Sequence, residues 1–127
     1  MTARCCCGAC SIEVEGAPLL NAICHCDNCK RRTGSAFGWS TYFADEQVAN
    51  RSGELRCYEI GDSRQRRWFC AACGTTLYWK IDRRPGETGI AGGCFVDPLP
   101  APTRSVVNEG RPAWLCTIVQ DGMRQPS

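Results

Sequence analysis

Apolar and polar residues alternate in short runs broken by turn residues, the pattern of β-strands rather than helices. Ser11 to Glu15 places Ile12 and Val14 on one face, and Gly16 and Pro18 close the run. Leu19 to Ile23 is a short apolar stretch that delivers the chain to Cys24. Ala36 to Phe43 alternates around Phe37, Trp39, Thr41 and Phe43. Further strands are predicted over Leu55 to Ile60, Arg67 to Phe69, Thr75 to Ile81, Gly89 to Phe95, Ser105 to Asn108 and Trp114 to Val119. Helix is scarce. One short helix is expected from Asn28 to Thr33, with Gly34 as its left-handed terminator. A single turn is expected from Asp45 to Val48, with Asp45 as its cap. Three prolines between Asp97 and Pro102 exclude a central strand there and predict a loop. The pattern predicts a mainly β chain, one domain over 1–127 with 120–127 as a frayed tail.

Composition adds little until the cysteines are counted. The net charge is +2, and thirteen arginines and two lysines are balanced by 13 acidic residues. There is no basic tail or stripe, so no nucleic-acid partner is expected. No run approaches the ~18 apolar residues of a membrane span, and Met1-Thr2-Ala3-Arg4 leads straight into cysteines without a signal-like stretch. Twelve cysteines in 127 residues are the informative number. They cluster with one or two residues between them, which suits metal chelation better than disulfides joining distant segments. A zinc protein of the cytoplasm is the expectation.

Three clusters carry the chemistry. Cys5 and Cys7 form a CxC before Gly8; Cys24, Cys26 and Cys29 form CHCxxC; Cys70 and Cys73 form CxxC before Gly74. A CxxC between strand-like segments resembles a zinc knuckle, with backbone N–H groups aimed at sulfur. Seven thiols divide economically into a closed site of four and an open site of three. Spacing alone leaves two assignments open. One joins Cys26 and Cys29 to Cys70 and Cys73 as a ribbon, and the other joins the CxC to the CxxC.

From Cys5 to about Leu115 the chain resembles the glutathione-dependent formaldehyde-activating enzyme family, which includes centromere protein V. The matching motifs are Cys5-Cys6-Cys7-Gly8-Ala9, Cys24-His25-Cys26-Asp27-Asn28-Cys29-Lys30-Arg31, Gly34-Ser35-Ala36-Phe37 and Phe69-Cys70-Ala71-Ala72-Cys73-Gly74-Thr75. Gly92 to Pro98 and Arg111-Pro112-Ala113-Trp114-Leu115 complete the set. The resemblance implies two zinc ions per chain: a structural one on Cys5, Cys7, Cys70 and Cys73, and a catalytic one on Cys24, Cys26 and Cys29. It implies a β-tent fold like that of methionine-R-sulfoxide reductases. It also implies a carbon–sulfur lyase acting on a small thiol, glutathione, and a small aldehyde, formaldehyde. Cys10 replaces an aliphatic residue of the family pattern, and Cys6 adds a third thiol to the first cluster.

Other residues have ordinary readings. His25, between two ligands, is expected to point away from the metal. Cys57, Cys94 and Cys116 are expected to be small buried hydrophobes, and Trp39, Trp68, Trp79 and Trp114 core residues. Arg31, Arg32, Arg64, Arg66 and Arg67 are suited to carboxylate forks, but surface solvation is their default. Against the enzyme stand two other classes: a non-catalytic zinc interaction module, and a thiol redox sensor using Cys6 or Cys10.

Overall fold

The computed structural model describes residues 1–62 and 64–115. In chain order its strands are β1 (Thr2–Arg4), β2 (Ser11–Val14), β3 (Leu20–Cys24), β4 (Gly38–Ala44), β5 (Val48–Ser52), β6 (Leu55–Glu59), β7 (Gln65–Cys70), β8 (Thr76–Ile81), β9 (Glu87–Ala91) and β10 (Arg104–Val106). Helix α1 spans Asp27–Thr33, and three 3-10 turns complete the described residues. The chain is mainly β. No helix among the described residues is long and apolar enough to cross a membrane. Two compact units form, one from Met1–Leu20 with Thr41–Leu99, the other from Asn21–Ser40 with the described residues from Pro100 onward.

In the first unit, β1, β2 and β5 make an antiparallel sheet with Ala3 opposite Ile12 and Ile12 opposite Arg51. Strands β6 to β9 form a second antiparallel run. Alternation decides the burial: Ile12 and Val14 of β2 join Phe43, Leu77 and Ile90 in the main core, while Glu13 faces water. Burying side chains of this size stabilises by roughly 1.5–3 kcal/mol each. On β8, Trp79 packs instead with Tyr42 and Ala91. Its indole donates to the Tyr42 hydroxyl at 3.0 Å. The ring occupies the space over Gly89, where a Cβ would lie 2.1 Å from Nε1.

In the second unit, β10 runs parallel to β3, pairing Ser105 with Ile23 and Val106 with Cys24. Cys26 caps α1 through its sulfur, and Gly34 closes the helix in a left-handed conformation. Asn21 fixes the proline-rich loop, donating from Nδ2 to the Pro100 carbonyl at 2.9 Å and accepting from Trp39 Nε1 at 2.7 Å.

Several expectations need correction. The turn at Asp45 is a 3-10 turn over Asp45–Gln47, but Asp45 does not cap it. Its carboxylate takes Lys80 Nζ at 2.6 Å and the Thr88 hydroxyl at 2.7 Å, and Gln47 Oε1 accepts the Ala44 N–H instead. The strand expected to reach Phe95 stops at Ala91, where Gly92–Cys94 turns. Likewise β10 ends at Val106, because Val107 takes positive φ and opens the Asn108–Gly110 turn. Cys57 is exposed, because β6 shows its outer residues to solvent. Trp114 is 74% exposed and is no core residue. Neither Trp114 nor Leu115 is in a strand; the rest of that expected strand, Cys116 and the 120–127 tail lie outside the described residues.

Candidate metal centres

The CxC and CxxC turns are built alike. Cys5 follows β1, and the Gly8 N–H returns to the Cys5 carbonyl at 3.1 Å. Cys70 ends β7, and the Gly74 N–H returns to the Cys70 carbonyl at 2.9 Å. Both glycines have φ near +80° (81 and 80), which a side chain would strain. Each turn also aims amides at sulfur. Cys10 donates to Cys5 Sγ at 3.2 Å, and Ala72 and Cys73 donate to Cys70 Sγ at 3.4 and 3.5 Å. The four sulfurs of Cys5, Cys7, Cys70 and Cys73 lie within 4.8 Å of one another. Cys7 Sγ is 3.6 Å from that of Cys5 and 3.7 Å from that of Cys70. Four thiolates at 2.3 Å from a tetrahedral zinc stand about 3.8 Å apart, so the donor set fits the ion.

Close thiols cannot all ionise together without a cation, and the acidities show it. Cys73 is pulled down to about 5, chiefly by the Thr75 hydroxyl and then by the Thr75 and Cys7 backbones. Cys7 is pushed up to about 11: the Ala9 backbone favours its thiolate, but Cys5, Cys70 and burial together outweigh it. A divalent ion relieves this competition by stabilising every thiolate at once. Cys6 is exposed and stands outside the four, its N–H donating to Thr75 Oγ1 at 3.1 Å. Cys10 is buried beside them, with its thiol donating to the Glu54 carbonyl.

The second group is local. Cys24 ends β3, Cys26 caps α1 and Cys29 lies one turn into it, with Cys29 N–H on Cys26 Sγ at 3.3 Å. Their sulfurs also lie within 4.8 Å of one another, and all three residues are half-buried. Cys24 is drawn down to about 6, first by the Cys29 thiol against the cost of burial, with help from the Cys26 backbone and the Arg32 charge. Cys29 moves up in response to Cys24 and to burial. The ribbon alternative is not the grouping found: Cys26 and Cys29 gather with Cys24, and Cys70 and Cys73 with Cys5 and Cys7.

His25 is fully buried and is not among the grouped ligands. Ser105 donates to Asn108 Oδ1 at 2.5 Å, so its oxygen accepts from His25 Nε2 at 3.0 Å. That places a proton on Nε2. Burial drives the His25 pKa down, in keeping with a neutral ring. Sequence reasoning predicted a strand at Ser105 but missed that 105–110 holds this knuckle. His25 N–H donates to the Val106 carbonyl at 3.1 Å, and Lys30 Nζ donates to the Gly110 carbonyl at 2.9 Å. A Cβ on Gly110 would lie 2.1 Å from the His25 carbonyl oxygen. The available signal was Asn108-Glu109-Gly110 ahead of Pro112, which marks a turn but not its contacts. Of the arginines suited to carboxylate forks, for which surface solvation was the default, Arg31 is exposed, Arg32 sits beside the three-cysteine group, and Arg64, Arg66 and Arg67 belong to the first unit.

Residues 1–109 match the family model for the glutathione-dependent formaldehyde-activating enzyme. The chain belongs to that family. Among solved structures, a Rhodobacter sphaeroides protein determined as a structural-genomics target is similar to this formaldehyde-activating-enzyme family member. Its TM-score is 0.65 and its sequence identity 26%, over 79% of this chain and 92% of that one. No curated protein matches the sequence. Both cysteine groups of this family member are arranged so that they can hold a metal ion.

Proposed function

We propose that this chain is a cytoplasmic zinc enzyme of the carbon–sulfur lyase class, working as one domain across 1–127. It adds the thiol of glutathione to formaldehyde to give S-hydroxymethylglutathione. Cys5, Cys7, Cys70 and Cys73 would hold a structural zinc, and Cys24, Cys26 and Cys29 a catalytic one. The observation that carries this reading is the division of seven thiols into a group of four and a half-buried group of three. Four protein ligands complete a tetrahedral zinc, whereas three leave one position for an outside ligand.

Zinc bound there would supply acidity, stripping the proton from a thiol whose free pKa is near ~8.5. The thiolate sulfur attacks the aldehyde carbon and one carbon–sulfur bond forms. The carbonyl π pair moves to oxygen, which takes a proton from solvent. The reverse reaction breaks that bond and returns thiol and aldehyde. Half-burial of the three cysteines limits competing water while leaving an approach for a small molecule. His25, neutral and turned to Ser105, holds the knuckle in place and is not the fourth ligand.

Cobalt in place of zinc makes the reading testable through the thiolate-to-metal charge-transfer band. Glutathione should shift that band, more strongly as pH rises toward ~8.5 and the free thiol ionises. A spectrum indifferent to glutathione, to smaller thiols and to pH rejects the enzyme. A response to small thiols alone keeps the chemistry and discards glutathione as substrate.

A further inference from the structure

Arg32 occupies a slot that the sequence makes for it. It stands in the last turn of α1, partly buried, and its Nη2 atom is shielded from solvent. Gly38, the buried first residue of β4, backs the slot. A Cβ at Gly38 would lie 2.6 Å from Arg32 Nη2 and 3.0 Å from Cys29 Cβ. Guanidinium and ligand cysteine therefore crowd the same point, and only a residue without a side chain admits both.

We propose that Arg32 selects an anionic ligand for the three-cysteine site, holding a thiolate there in preference to a neutral donor. This rests on the reading of Cys24, Cys26 and Cys29 as an open zinc site. Three thiolates on a dication leave one net negative charge. A neutral fourth ligand keeps that charge, whereas a thiolate raises it to two inside a half-buried pocket. A fixed cation beside Cys29 offsets the second charge and does nothing for a neutral ligand. At roughly 6–12 Å and an effective dielectric near 20, that difference is on the order of ten- to a hundredfold in relative affinity. A guanidinium suits the place better than an ammonium, since its charge is delocalised and it is more weakly hydrated.

The test compares two probes on cobalt-substituted protein: 2-mercaptoethanol, which has no carboxylate to bind an arginine elsewhere, and imidazole, a neutral donor. In Arg32→Gln, thiol affinity should fall roughly tenfold or more while imidazole affinity stays within about twofold. Arg32→Lys should recover part of the loss. Cobalt uptake and thermal midpoint report that the variant is folded. If Arg32→Gln does not fold, Gly38→Ala displaces the guanidinium; because its Cβ also presses on Cys29, the readout is the thiol-to-imidazole ratio, which should fall several-fold. Unchanged thiol affinity in Arg32→Gln, equal loss of both probes, or an unchanged ratio in Gly38→Ala overturns the role of Arg32 and leaves the open site standing. A wild-type protein that binds neither probe removes the open site and this role together.

Discussion

The two cysteine groups use the same donor atom in opposite ways. The four-cysteine group joins residues far apart in sequence, since Cys7 and Cys70 are separated by 63 positions. The three-cysteine group lies within one strand end and one helical turn, from Cys24 to Cys29. A metal in the first group closes a long loop, and closing a long loop removes much of the unfolded chain's freedom. A metal in the second closes a loop the backbone already makes, because the Cys26 cap and the 105–110 segment hold the knuckle. Ligand type alone does not tell a structural site from a reactive one. What the metal ties together does.

The largest predicted effect follows directly. Structural zinc in small domains is worth roughly 10–16 kcal/mol, as much as a domain's whole stability. Cys70→Ala should therefore abolish cooperative unfolding in circular dichroism. Cys24→Ala should leave a folded chain that has lost one of two bound zinc ions. Graded chelation of the wild type should remove the zinc of the three-cysteine group first, with little change in ellipticity. Equal thermal losses in the two variants break the comparison.

A smaller effect tests the support of the second group alone. Gly110→Ala drives a methyl toward the His25 carbonyl, and relieving it moves the segment that carries Ser105 and Asn108. Overpacking of this kind costs about 1–3 kcal/mol. The expected outcome is a lowered thermal midpoint and weaker metal binding at Cys24, Cys26 and Cys29, with the four-cysteine group unaffected. Mass spectrometry of partly loaded protein separates the two occupancies. Parallel weakening of both groups would mean that the segment supports the whole chain and not this knuckle.

Much of this was legible in the sequence, for identifiable reasons. Strands with one buried face announced themselves by alternation, as Ile12 and Val14 did in β2. Helix α1 was legible because Gly34 ends it in the conformation glycine favours. Strand β5 was not, since Val48–Ser52 is a polar edge strand with little to bury. Spacing left the partition of the cysteines open because it records neighbours along the chain. The partners are decided by β1, which sets Cys5 and Cys7, and by β7, which sets Cys70. The strand at Ser105 was legible, but the hold of 105–110 on the knuckle was not, because two of its bonds end on the carbonyls of Val106 and Gly110. A backbone acceptor is the same in every residue, so no side chain marks it.

The smallest predicted effect concerns acidity in the four-cysteine group. Thr75 Oγ1 lies 3.2 Å from Cys73 Sγ and is the main reason its pKa falls to about 5. A folded-state pKa below the unfolded value means that this thiolate's contribution is present above the unfolded pKa. It is lost as pH falls through the folded one, near 5. Zinc competes with the proton for the same sulfur, so a depressed pKa lets the site keep its metal to lower pH. Thr75→Ala removes the hydroxyl, and the Thr75 and Cys7 backbones remain to sustain part of the shift. Acid release of the tightly held zinc, followed with a chromogenic chelator, should therefore begin at higher pH in Thr75→Ala. Release from Cys24, Cys26 and Cys29 should not move, because the bonds of the Thr75 hydroxyl are to Cys6 and Cys73. A shift in both phases would mean that Thr75 acts through general stability. A shift in neither would mean that the metal, once bound, overrides the local hydrogen bond.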